Sequence, residues 1–335
     1  MAVARRLLAI QAQDPRAARL AIRARATGVT ASDVDRALTS DRSLVIDWLN
    51  RGTLHLICSE DYHWLHALTT PQLAVANTRR LAQEGVTPVE AVRGVAVIER
   101  SLSDAGPLTR TQLRERLVAS GVRTEGQSLV QLLVLAALRG IILRGPMVGR
   151  EQAFVLVRDW LGSANRVPRE QAVAEMARRY LHGHGPADDR DLARWAGLPL
   201  RDARAGLRAI SGELAERPGG LVDLKARPPA AGLPSPRLLG AFEPVLLGWR
   251  AREQILDGNE PEVVAGGVFR PIALVRGRAA ATWSLRGSEV ELKPFRRLAK
   301  ADAAALREDA RDVIRYLAAD AAANASALAS PGTAR

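Results

Sequence analysis

Gln11 and Gln13 stand one alanine apart in LLAIQAQDPRAARL, residues 7–20. Amides neither titrate near neutral pH nor attack as nucleophiles. What they offer is a carbonyl oxygen that accepts and an NH2 that donates, so their chemical use is to position another group. On a continuous α-helix, residues i and i+2 lie about 200° apart and cannot serve one site. Pro15 changes this. It disfavours helical geometry at Asp14, which becomes a natural N-cap with Pro15 at the first helical position of PRAARLAIRARA. The first helix is then expected to end near Ala12 or Gln13, where an extended or turned joint lets both amides point the same way. Taken on spacing alone, two polar residues on a loop surface remain the alternative.

A second cluster lies in RGTLHLIC. If residues 53–57 form a strand, Thr53 and His55 share one face and Leu54 and Leu56 the other, with Arg51 just upstream. A satisfied structural histidine is the alternative to a functional one. HGHGPADDRD offers His182, His184, Asp188, Asp189 and Asp191, but the spacing matches no strong zinc pattern. A helix end at Gly183 or Gly185 followed by an Asp-capped helix explains every residue, and no metal or cofactor is expected. Glu243, among apolar residues in AFEPVLLGWR, is either an acid of raised pKa or a paired buried carboxylate. The single cysteine, Cys58, has no activating neighbours, and no nucleophile elbow, P-loop or dinucleotide fingerprint is present.

The elements that must hold these residues repeat a plan of helices followed by a short apolar strand or hairpin. The first block runs to about residue 70, with VTASDVDRAL and DRSLVIDWLN as short helices capped by Thr30 and Asp41, then RGTLHLIC as strand. The second, about 88–160, has a helix ended near Gly106, a helix capped by Thr109, a third in QSLVQLLVLAALRG, and strand, turn, strand in IILRGPMVGREQAFVLV. The third, about 168–224, has helices in REQAVAEMARRYLHGHG, DDRDLARWAG and PLRDARAGLRAISGELAE, closed by the strand LVDL. Helix, helix, helix, then a wing is the winged-helix pattern. Residues 217–237 are rich in Pro and Gly and mark a boundary. Strands in GGVFRPIALV, RAAATWSL and VELKPF follow, then a helix from Asp302 with Leu306, Ala310, Val313 and Leu317 at helical spacing. The expected fold is α+β, mainly α with β wings. It divides into three winged helices (1–80, 81–165, 166–225), a C-terminal β-rich element with closing helix (226–320) and a disordered tail (321–335).

The chain of 335 residues carries a net charge of +12, which favours a polyanionic partner because neutralising phosphates releases counterions. Nearly all its cations are arginines, suited to bidentate phosphate contacts; the lysines are Lys225, Lys293 and Lys300. High-GC coding bias is the bland alternative. Arg201, Arg204 and Arg208 fall at i, i+3 and i+7 beside an apolar face of Leu200, Ala203, Leu207 and Ile210, as on a helix facing phosphates. QSLVQLLVLAALR is too apolar to read bases, whereas Arg144 and Arg150 bracket the turn of the hairpin after it. Binding through wings and backbone with weak sequence preference follows, which argues against an operator-reading repressor. No run approaches the ~20 apolar residues of a membrane span. One cysteine fits a reducing cytoplasm, with the protein on the nucleoid, and no coiled-coil segment suggests a dimer, so a monomer is expected.

In order, IQAQDPRAARLAIRAR, RGTLHLICSEDYHWL, GPLTRTQLRERL, HGPADDRDLARWAGLPLRDAR, LLGAFEPVLLGWRAR and GVFRPIALVRGRAAATW resemble the bacterial winged-helix family of AlkZ-like DNA glycosylases over about residues 5–320. The resemblance implies three tandem winged helices and a C-terminal β-rich element with a DNA-probing hairpin. It also implies excision of bulky N7-alkylated purines, including interstrand crosslinks. The family's Gln-apolar-Gln signature maps onto Gln11, Ala12 and Gln13 as catalytic residues; a sister branch has Asp at the second position. Family members carry another helix ahead of that signature, so the first winged helix is expected to be short at its N-terminus. Glu243 stands where relatives commonly have Asp. The expected partner is double-stranded, damaged DNA, met by Arg51, Thr53, His55, Arg144, Arg150, Arg201, Arg204, Arg208, Arg276 and Arg278. The competing reading is a non-catalytic winged-helix DNA-binding protein or transcriptional regulator.

Overall fold

Asp14 and Pro15 set the first joint as the sequence predicts. Asp14 is extended (φ −106°, ψ 112°), its carboxylate accepts from the backbone N–H groups of Arg16 and Ala17, and Pro15 opens the helix Pro15–Arg23. The preceding helix is shorter than expected. It spans Ala2–Leu7, and Leu8 turns the chain with φ 64°. Ile10–Gln11 then becomes a sheet edge instead of a last helical turn, continued by the Ala12 N–H donating to the Leu54 carbonyl at 2.7 Å. Asp14→Ala removes both cap acceptors and is expected to lower stability by about 1 kcal/mol in urea unfolding. An unchanged midpoint would show that Pro15 alone fixes the helix start.

The computed structural model describes residues 1–148, 151–163, 167–229 and 232–329, with side chains through 318. The fold is α+β: three winged-helix units, a C-terminal β-rich element and a closing helix. One antiparallel sheet of five strands joins the first two units. Its order is Ile10–Gln11, Thr53–Cys58, Leu44–Leu49, Ile142–Val148, Glu151–Leu156. Leu44–Leu49 corrects an expectation, since DRSLVIDWLN was read as helical. All six strand residues are buried, because this central strand is covered on both faces and lacks the alternation that marks a half-exposed strand. Val45, Leu49 and Ile57 face a core shared with the third unit, and Trp48 faces that of the second.

The second unit has helices Pro88–Ala105, Arg110–Ala119 and Ser128–Leu138. Reciprocal capping boxes start the first two, at Thr87 and Thr109. The third has Arg169–His184, Asp189–Ala196 and Leu200–Ala209. Its last helix stops before Ser211–Gly212. Leu214–Arg217, expected to be helical, instead pairs with Leu221–Leu224 across Pro218–Gly220 as the wing. Beyond it, Arg237–Leu239, Ile272–Val275, Arg278–Arg286 and Glu289–Pro294 form a four-stranded antiparallel sheet. The closing helix Lys300–Ala329 buries Leu306 and Val313 against this sheet, and it runs on into the segment expected to be a disordered tail. Arg23 is held between Asp309 and Asp312 at 2.6 Å each, tying the helix after Gln13 to the closing helix. Among the described residues no helix is long and apolar enough to cross a membrane.

Candidate active site

The sheet edge brings the predicted residues together. Gln11 pairs directly with His55, and His55 with Asp47, so the three side chains form one row across the strands on a single face. Gln11 is buried and Gln13 exposed. Gln11 Nε2 donates to Gln13 Oε1 at 2.8 Å, so the two amides do share one site. Arg51 donates from a terminal guanidinium nitrogen to Gln11 Oε1 at 3.2 Å. Because a guanidinium has only donors, it fixes which way the Gln11 amide points. A directed chain results: Arg51 to the Gln11 oxygen, the Gln11 nitrogen to the Gln13 oxygen. Gln13 keeps its NH2 and one oxygen lone pair for something else.

Arg51 sits in the turn between Leu44–Leu49 and Thr53–Cys58, where Asn50 (φ 48°) and Gly52 (φ 81°) reverse the chain. Its other terminal nitrogen donates to the Trp195 carbonyl of the third unit. Gly197 packs so closely here that a Cβ on it would lie 2.7 Å from the Asn50 carbonyl oxygen, and its own φ is 68°. Burial, then the neighbouring Arg194 and Arg252, push the Arg51 pKa down to about 10, which leaves it a cation at neutral pH. Arg51, expected as a DNA contact, gives two of its five donors to Gln11 and Trp195. Sequence reasoning missed Asn50, Trp195, Gly197, Arg194, Arg252 and Asp47. The Asn-Arg-Gly turn was the one available signal; Asp47 lies on the adjacent strand read as helix, and Trp195, Gly197, Arg194 and Arg252 are brought in from distant segments by packing.

His55 Nδ1 lies 2.8 Å from the Thr53 carbonyl, an acceptor, so Nδ1 carries the hydrogen and Nε2 the lone pair. Burial, then the Arg51 charge, lowers its pKa to about 3, so the ring is neutral in this row. Thr53 is half-buried, with no partner for its hydroxyl among the described residues. Glu243 takes the paired alternative: it is buried and accepts from Arg25, while its Oε2 has no partner among the described residues. His184 is buried between Tyr180 and Trp195, ring centroids 5.2 Å away in each case. Asp188 and Asp191 form the capping box of their helix and receive Arg250, and Asp189 receives Arg204.

The remaining expected DNA contacts are spread over three units. Arg201 is 87% exposed, Arg204 is paired with Asp189 at 2.7 Å, and Arg208 is exposed on the same helix. Arg276 (77% exposed) and Gly277 make the tip of a hairpin, while Arg278 is held by Asp257 at 2.8 Å. Arg144 is folded into the second unit instead of standing at a wing tip. Arg150 lies outside the described residues.

The family model described as DNA glycosylase AlkZ-like matches residues 4–316. The chain belongs to the AlkZ-like DNA glycosylase family. It is similar to the interstrand DNA cross-link repair glycosylase of Streptomyces sahachiroi, at 28% identity over 92% of this chain and 88% of that protein. It also superimposes on the solved Streptomyces sahachiroi DNA glycosylase AlkZ with a TM-score of 0.73 and 26% identity, over 94% of this chain and 90% of the other. For an AlkZ-like protein, DNA is the polyanion that the charge of +12 calls for, and glycosidic hydrolysis is the reaction class.

Proposed function

We propose that this chain hydrolyses the N-glycosidic bond of N7-alkylated purines in duplex DNA, bulky adducts and interstrand crosslinks included. The observation that carries this reading is the directed chain from Arg51 through Gln11 to Gln13. Alkylation at N7 makes the purine cationic and a good leaving group, so no strong general acid has to protonate it. The transition state resembles an oxocarbenium ion, as in other glycosidic cleavages. An amide oxygen held in place orients the attacking water and sets a negative dipole beside the developing charge. Gln13, exposed and with an oxygen lone pair free, is the residue in contact with that water; Gln11 and Arg51 fix its orientation.

The three lysines lie elsewhere: Lys225 donates to the Gly212 carbonyl at the third wing, Lys293 is in a C-terminal strand and Lys300 begins the closing helix. A Schiff base therefore has no lysine amine on the elements that carry the glutamines, and the product is an abasic site. A bulky or crosslinked base is hard to turn into a tight pocket. An exposed Gln13 suits such a lesion, with the exposed Arg201, Arg208 and Arg276 to contact phosphates, Arg201 and Arg276 exchanging their contacts with Asp202 and Asp302.

A duplex with one N7-methylguanine, incubated with the protein and then heated in alkali, is expected to break at the lesion. Borohydride added during the reaction is expected to trap no covalent adduct. Tight duplex binding without scission would overturn the catalytic reading in favour of a non-catalytic DNA-binding protein.

A further inference from the structure

We propose that the second winged-helix unit carries a phosphate-binding pocket centred on Arg144, separate from the glutamine site. In register Arg144 stands opposite Ile46 and Phe154, whereas Gln11, His55 and Asp47 form the neighbouring row. Successive residues of a strand point to opposite faces, so Arg144 and the glutamines serve opposite sides of one sheet.

The Arg144 guanidinium rests 4.4 Å from the Phe154 ring centroid and 5.1 Å from that of Trp48, two nearly parallel rings 6.4 Å apart. These contacts hold the fork in place but give it no hydrogen-bond acceptor. Among the described residues the Arg144 side chain makes no hydrogen bond and no ion pair, and its enclosed Nε has no partner. A buried charged donor left unmade is costly, which is why native structures complete such groups with a ligand or water. A cavity of about 540 Å³ opens beside it, walled by Arg110 and Arg114 of the helix Arg110–Ala119 and by Thr124. The Thr124 hydroxyl is buried and also lacks a partner among the described residues.

The two carboxylates in the wall, Glu151 and Glu125, are outnumbered by its three arginines. Glu151 accepts from the Thr111 hydroxyl at 2.7 Å, and Glu125 lies 3.8 Å from Arg123. Arg110 and Arg114 form no ion pair among the described residues, so the pocket's unmatched charge is positive. Burial pushes the Arg144 pKa down to about 10, with the charges of Asp47 opposing and Arg110 adding, so it is still a cation at neutral pH. A planar fork, two further arginines and a hydroxyl match a tetrahedral oxyanion, which accepts several charge-assisted bonds at once. The phosphate comes either from a DNA backbone or from a free phosphate ester, and the chemistry of the pocket is the same for both.

The test titrates inorganic phosphate into the full chain by calorimetry, with sodium chloride of equal ionic strength as control. One saturable site is expected, weakened at least 10-fold in Arg144→Met and in Arg114→Ala. Arg114 is exposed, so its replacement leaves the core untouched even if loss of the Arg144 stacking perturbs folding. Heats equal to the chloride control, or full binding retained in both variants, would overturn the proposal. Repeating the titration on the complex with an undamaged duplex identifies the source. Lost phosphate binding assigns the pocket to a DNA phosphodiester, and retained binding to a free ester. Single-turnover N7-methylguanine scission by saturating Arg114→Ala protein separates the two sites, since loss of this pocket can weaken duplex binding while the cutting step stays with the glutamines.

Discussion

Replacing Gln13 with alanine is expected to lower the single-turnover rate of N7-methylguanine excision by about 100-fold or more, the usual cost of deleting one preorganised dipole at a developing charge. Duplex affinity is expected to stay within about 3-fold, because a neutral amide releases no counterions. The reason is geometric. On the proposed mechanism the Gln13 oxygen, already oriented by the Gln11 NH2 at 2.8 Å, presents a bound water to the sugar without first ordering the side chain. Gln13→Glu retains the accepting oxygen and should keep more activity than the alanine variant. Arg51→Met acts one step back. It leaves both glutamines in place but frees the Gln11 amide to flip, since no other described group donates to its oxygen. Its excision rate is expected to fall by about 10- to 100-fold, with the loss in rate and not in binding. A Gln13→Ala variant that cuts at the rate of the parent protein would remove these amides from the chemistry altogether.

Local chemistry made the joint legible. Asp14, Pro15, Thr30 and Thr109 act through backbone groups two or three residues away, so their roles follow from a short stretch of chain. Leu44–Leu49 failed for the opposite reason. Its burial combines first-unit residues, with Leu44 and Ile46 packed against Ile22 and Val34, and residues of the second and third units around Trp48, Val45 and Leu49, and a run of LVIDWL alone does not separate strand from buried helix. Arg51 shows the same limit at the site. The sequence marked it as a cation beside His55 and so as a DNA contact. The structure adds what the sequence does not show, that Gln11 and the Trp195 carbonyl accept from this half-buried guanidinium.

Asp47 carries the largest expected effect on stability. It is wholly buried in the row with His55 and Gln11, receives the Tyr62 hydroxyl at 3.1 Å on Oδ2, and has no partner for Oδ1 among the described residues. Burial pushes its pKa from 3.8 up to about 7, opposed by hydrogen bonds from the Trp48 backbone and Tyr62 and by the Arg144 charge. The unfolded chain therefore loses this proton near pH 4, while the folded protein holds it until about pH 7. Between those values the folded state binds the extra proton, so this contribution is complete at low pH and is lost as pH rises through 7. His55 and His184 run the other way. Burial lowers both to about 3 from 6.5, so they add stability as pH rises across that interval, and two such groups outweigh one. The parent protein should thus still gain stability from pH 4 to 6.5, and Asp47→Asn should gain it more steeply. Measured by urea unfolding, the difference between variant and parent is expected to shift in favour of the variant by about 4 kcal/mol from pH 4 to pH 8. Any fixed cost of burying the new amide cancels in that comparison. A difference that stays constant with pH would mean that Asp47 is ionised throughout, placing a carboxylate in the row that ends at Gln11.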